Sequence, residues 1–211
     1  MVFYKDARGV TLMRTARSHS ARRIRTDPAF ERVRENNAEF KRAVELGKII
    51  RDAFGTPFPL RPADGLLDGR YLHARLNREL IRLIKQDTAR TSGQRRIDKA
   101  TIGLLTSFEW TRWSTQKRLF PLTTVDENGV SVTVPAPDIE YGTALRLSVI
   151  RIPEGEEPAT VADTSDAVFS DAGAVTLQVQ LPESGMWIAG LGYRNTRNWE
   201  HGMCIVAAGG V

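Results

Sequence analysis

Apolar residues recur along this 211-residue chain with two different periods, and the change falls near Ser107. Val2–Tyr4 and Val10–Arg14 are short β-type runs around Asp6-Ala7-Arg8-Gly9, which predicts an N-terminal hairpin with glycine at its turn. The stretch from Arg14 to Arg25 is polar, cationic and without period, and reads as an extended connector. Thr26-Asp27-Pro28 predicts a helix start: Asp27 can cap free N–H groups, and Pro28 suits the first helical position. From there Phe30, Val33, Asn37, Phe40, Val44 and Gly47 recur at three- and four-residue spacing. Arg32, Glu35, Glu39, Arg42, Glu45 and Lys48 fall on the opposite face, and Gly55 followed by Pro57 predicts the stop. Gly47 and Asn37 interrupt the stripe. Either they admit a close neighbour and set the register of a helix pair, or the stripe edge there grazes solvent.

A Pro/Gly-rich link over 56–69 leads to a second helix, Arg70 to about Thr88, with Leu72, Leu76, Leu80, Leu83 and Ile84 on one face. So short a link predicts antiparallel packing of the two helices. Residues 97–107 read as one or two further helical turns. Beyond Ser107, period-two runs cover Phe108–Trp113, Leu119–Thr124, Val130–Val134, Ala144–Ile152, Val175–Leu181, Met186–Tyr193 and Met203–Ala208. Turn sequences such as Glu127-Asn128-Gly129 and Pro182-Glu183-Ser184-Gly185 separate them, as in an antiparallel β-sandwich. The expected fold is α+β: an N-terminal β-hairpin and a helical hairpin followed by an antiparallel β-sandwich. Its expected parts are a β-ribbon over 1–14 that joins a sheet, a basic helical region over 15–105 and an acidic sandwich over 106–211.

Charge sharpens this division. Residues 1–118 hold 26 Lys+Arg against 13 Asp+Glu, a net of +13, whereas residues 119–211 hold 4 against 12, a net of −8. Such a chain can bind a polyanion, or copies of itself head to tail. Of its 30 basic residues 24 are arginine, the side chain whose planar fork suits phosphate and carboxylate. Two clusters stand out, Arg14/Arg17/Arg22/Arg23/Arg25 and Arg90/Arg95/Arg96/Lys99.

Candidate chemistry is sparse. His19, His73 and His201 are scattered, and His201 with Cys204 supplies only two of the four ligands of a tetrahedral metal site. Cys204 lies in an apolar run and reads as a core thiol, and as the only cysteine it excludes an internal disulfide. No phosphate loop, nucleophile elbow or HExxH motif occurs. The expectation is therefore a protein without enzymatic activity, metal or cofactor. No apolar run reaches signal-peptide or membrane-span length, which predicts synthesis in the cytoplasm and leaves later release or export open.

Phe3-Tyr4, Gly9 and Arg14, followed by Thr26-Asp27-Pro28-Ala29-Phe30, Arg32, Arg34-Glu35-Asn36, Glu39-Phe40 and Gly47-Lys48 with Arg51, resemble a family of uncharacterised bacterial proteins. The stretch from Asp27 to Phe40 carries the specific part of the likeness, which fades in the strand-rich half. The resemblance implies a bacterial building-block protein and assigns no catalytic residue.

Together these readings predict a structural subunit that self-assembles into a filament, tube or shell by head-to-tail contacts, its partners being copies of itself. Phe3, Tyr4, Arg14 and Trp199, the last in the polar run Arg194–His201, are the expected subunit contacts. The alternative is a nucleic-acid-binding protein. Arg17, Arg22, Arg23, Arg25, Arg95 and Arg96 would touch the polyanion, or an acidic partner surface under the first reading.

Overall fold

The computed structural model describes residues 2–14, 20–54, 69–109, 121–135, 143–153, 159–169, 173–194 and 201–211. Strands β1 (Val2–Lys5) and β2 (Thr11–Arg14) form the expected hairpin, with Asp6 Oδ1 accepting from the N–H groups of Arg8 and Val10 and Gly9 at φ +78°. It does not join a sheet: β1 and β2 pair with each other and with no other described strand. The connector is not wholly extended either. Ser20 accepts from the Arg23 N–H and caps a short helix α1 (Ala21–Thr26), which two cap residues make possible where no apolar period announces it. Asp27 then caps a 3₁₀ turn, Pro28–Phe30, that opens directly into α2 (Glu31–Phe54).

The buried face of α2 lies about one position round from the stripe of large apolar residues. Glu39, Ala43, Gly47, Ile50, Ala53 and Phe54 are buried, whereas Val33 and Phe40 are exposed. Small residues decide this. At Gly47 a Cβ would collide with Asn77 Oδ1 and come within 3.3 Å of Leu80 Cδ1, so the missing side chain admits α3 (Gly69–Ile84) closely. Asn37 is exposed and sets no register. The segment beyond α3 returns to the start of α2, where Gly93 meets Glu35 and Glu39, so the two helices run antiparallel. Leu76, Leu80, Leu83 and Ile84 of α3 are buried as the period predicts. A capping box, Asp98 with Thr101, begins α4 (Lys99–Ile102), which tightens into a 3₁₀ turn at Gly103–Leu105.

The remaining strands are β3 (Leu122–Asp126), β4 (Gly129–Val134), β5 (Ala144–Ile152), β6 (Thr160–Val168), β7 (Val175–Val179), β8 (Met186–Arg194) and β9 (His201–Gly210). They form two antiparallel sheets, ordered β3-β4-β7 and β6-β5-β8-β9. Strand β6 was invisible to period counting because Thr160–Val168 is polar and carries Asp163 and Asp166. Cross-strand pairs hold it to β5: Arg146 and Asp166 share two hydrogen bonds of 2.6 Å, and Ser148 and Thr164 share one of 2.9 Å. The run expected at Phe108–Trp113 provides one isolated bridge, Glu109 to Cys204, and residues 110–113 lie outside the described part.

The four-stranded sheet is covered on both faces. Leu145, Leu147, Val149, Trp187, Ala189 and Leu191 meet Val130, Val132, Val134, Leu177 and Val179 between the sheets. On the other face Ile150, Ile152, Ile188, Met203 and Ile205 pack with Ile50, Phe54, Leu76, Leu80 and Leu83, so this core draws residues from both sides of position 105. At the contact, a Cβ on Gly190 would lie 2.8 Å from Phe54 Cε1 and 2.6 Å from Met203 Cε. In β9, Val206 is an extra residue between Ile205 and Ala207, which face Gly190 and Ala189.

Phe54→Ala should therefore destabilise the protein by about 3–5 kcal/mol. Gly190→Val should cost about 1–3 kcal/mol by overpacking the same contact. Urea unfolding followed by circular dichroism measures both, and a Gly190→Val midpoint equal to wild type would remove the close-approach explanation.

Candidate functional site

The described surface offers an apolar ribbon, an arginine-bearing flank and a set of sheet edges. The ribbon is the β1–β2 hairpin. Register places Phe3 opposite Met13 and Tyr4 opposite Leu12. Phe3 is 66% exposed and Met13 59%, and Val10 and Leu12 are also exposed. Sequence reasoning named Phe3 and Tyr4 as contacts and missed Val10, Leu12 and Met13. A four-residue strand with apolar side chains on consecutive positions, hence on both faces, is the signal that points to them. The side chains of Tyr4 and Arg14 lie outside the described part, as do Arg17 and Trp199 altogether.

The described arginines of the two clusters differ in exposure and in what they touch. Arg23 is engaged locally, its Nε 2.9 Å from Asp27 Oδ2 and its guanidinium 5.8 Å from the Phe30 ring centroid. The Arg23 guanidinium, with the Ala29 N–H, holds the Asp27 carboxyl below its ordinary value. Arg22 and Arg25 are exposed on α1, where Arg25 Nε donates to the Ala21 carbonyl at 3.4 Å. In the second cluster the loop after α3 is folded onto α2 by polar contacts. Buried Glu39 accepts from the Gly93 N–H at 3.0 Å and lies 3.9 Å from Arg95, while Arg42 donates to the Arg95 carbonyl at 2.9 Å. Buried Asp87 accepts from Arg90 at 2.7 Å, from the Ala89 N–H at 3.0 Å and from the Arg96 N–H at 3.1 Å. Arg90 and then the two N–H groups outweigh desolvation and lower the Asp87 pKa. Arg95 is thus half-buried beside a carboxylate, Lys99 donates to the Val211 carbonyl, and Arg96 is the exposed arginine of its cluster.

Cys204 is buried between the sheets, where desolvation and then the Glu109 charge push its thiol up to about 12, so it stays protonated at neutral pH. Among the described residues no three of His, Cys, Asp and Glu converge as a metal-holding group, and no helix is long and apolar enough to cross a membrane. An open, polar groove of about 590 Å³ lies between the β3–β4 turn and β6–β7, lined by Glu127, Asn128, Asp163, Gln178 and Gln180 among others. Comparison with protein-family models, with curated proteins and with solved structures finds no match.

Asp87 gives a pH-dependent expectation. Its folded pKa lies below the ordinary value of 3.8, so the folded state binds fewer protons than the unfolded one near that pH. Its contribution is full above 3.8 and is lost as pH falls through the lower folded value. Asp87→Asn should therefore melt earlier than wild type at pH 7, with the gap closing under acid conditions. A gap that stays constant from pH 7 to pH 2 in thermal melts would show that the carboxylate charge is not what holds this loop.

Proposed function

We propose that this protein is a structural subunit that self-assembles head to tail into a filament, tube or shell. The observation that carries the reading is the hairpin Val2–Arg14, a two-stranded sheet with no third strand among the described residues and with Phe3, Val10, Leu12 and Met13 exposed. A lone two-stranded hairpin is marginal in water, and its apolar side chains gain by being covered. The opposite net charges of residues 1–118 and 119–211 supply polarity to an encounter between copies. Exposed ion pairs contribute only about 0–1 kcal/mol each, so apolar burial and backbone pairing would carry the affinity. A head-to-tail contact propagates unless its rotation closes a ring.

Light scattering and negative-stain microscopy across protein concentration and salt test this reading. Wild type should form polymers or closed rings, and a variant lacking residues 2–14 should stay monomeric with an unchanged melting temperature. A wild-type monomer at high concentration and low salt would defeat the proposal. A second reading, nucleic-acid binding, draws on exposed Arg22, Arg25 and Arg96. It predicts affinity falling with salt at a log–log slope of about −0.9 per phosphate contacted, and no gel retardation at low salt would end it.

A further inference from the structure

We infer that the acceptor for the hairpin is the open edge of β3 in the next copy, with β2 adding antiparallel to it. This rests on the self-assembly reading and deepens it by naming the surface. The sandwich has several edges, and most are occupied or guarded. The outer side of β9 is met by residues 107–109, with the Ser107 N–H on the Ile205 carbonyl and the Ile205 N–H on the Phe108 carbonyl, both at 2.8 Å. Strand β6 bears Asp163 and Asp166, and charge along an edge discourages strand addition. Asp163 also accepts from the Gln180 N–H at 2.8 Å, which fastens β6 beside the end of β7.

Among the described residues no strand pairs with the outer side of β3, and its one charge, Asp126, stands at its end beside the β3–β4 turn. Leu122-Thr123-Thr124-Val125 is uncharged, free of proline and rich in β-branched residues, and β3 is an outermost strand of its sheet. Leu122 is 69% exposed and Val125 50%. An outermost strand leaves alternate N–H and C=O groups unpaired, which is what an added strand needs. Strand β2, Thr11-Leu12-Met13-Arg14, is one residue shorter than β3 and is likewise outermost in its own pair.

Charge selects the direction. Run antiparallel, β2 begins where β3 ends, which brings the hairpin turn of one copy beside the β3–β4 turn of the other. The first turn carries Arg8, 3.8 Å from Asp6 and with its side chain 89% exposed, and the second carries Glu127, also exposed. Asp126 is occupied by the N–H groups of Asn128 and Gly129, which leaves Glu127 to meet Arg8. A parallel addition would set Arg8 at the opposite end of β3 from Glu127.

Disulfide trapping between full-length copies tests the assignment, because native Cys204 is buried and protonated and does not compete. Met13→Cys protein is mixed with Leu122→Cys, Thr123→Cys or Thr124→Cys protein under mild oxidation. The expected result is a mixed covalent dimer with at least one of the three, formed in several-fold excess over dimers from either protein alone. Polymers that form without any mixed dimer would overturn the β3 assignment and leave self-assembly standing, whereas no polymer at all would remove both. Arg8→Glu in the Met13→Cys protein should lower the yield, and Glu127→Arg in its mixing partner should restore it. Equal yields across those pairs would overturn the antiparallel placement.

Discussion

The Phe54 ring lies on bare backbone at Gly190, and the position of the helical pair on the sheet follows from that contact. With a side chain at 190, neither Phe54 nor Met203 could approach, and the helices would stand off the sheet by roughly the width of a methyl group. Ile150, Ile152, Ile188 and Ile205 would then face a gap in place of Ile50, Leu76, Leu80 and Leu83. Gly47 acts in the same way one layer out, letting α3 come close enough for its leucines to reach that core. Two absent side chains thus set the spacing of three layers.

This explains which parts of the fold were legible in the sequence. Strand β5 could be read to its end residues because its apolar positions alternate where one face is covered and run together where both are. Leu145, Leu147 and Val149 face the other sheet, and Ile150 and Ile152 face the helices. The α2 stripe was misread by one position because period counting weighs large residues, whereas the true contact face uses Ala43 and Gly47. Strand β6 was missed for a related reason: its place is secured by paired polar side chains, which leave no apolar alternation. Helix α1 was missed because capping, and no buried face, defines it.

The candidate surface was legible only in part. Charge counting located the arginines but could not tell which would find carboxylates at home. Glu39 and Asp87 are far in sequence from, or turned back upon, the groups they hold, and both are buried. The second cluster therefore does structural work in joining the loop after α3 to α2, and Arg96 is the exposed one of its arginines. The ribbon was legible as a hairpin, but its isolation is a property of the whole topology, and no local pattern encodes it.

The extra residue Val206 in β9 has a consequence for alternative pairings. An ordinary strand can slide by two residues and still present the same side chains to the same faces. Here Met203 and Ile205 face the helices, Cys204 and Val206 face the other sheet, and beyond the bulge Ala207 again joins the inter-sheet core. A two-residue slip would carry the bulge away from Ala189 and Gly190 and invert the inside and outside of every residue between its old and new places. The bulge is thus a mechanical key. The final hairpin of the sandwich closes in one alignment, and near-miss registers are penalised in both cores at once.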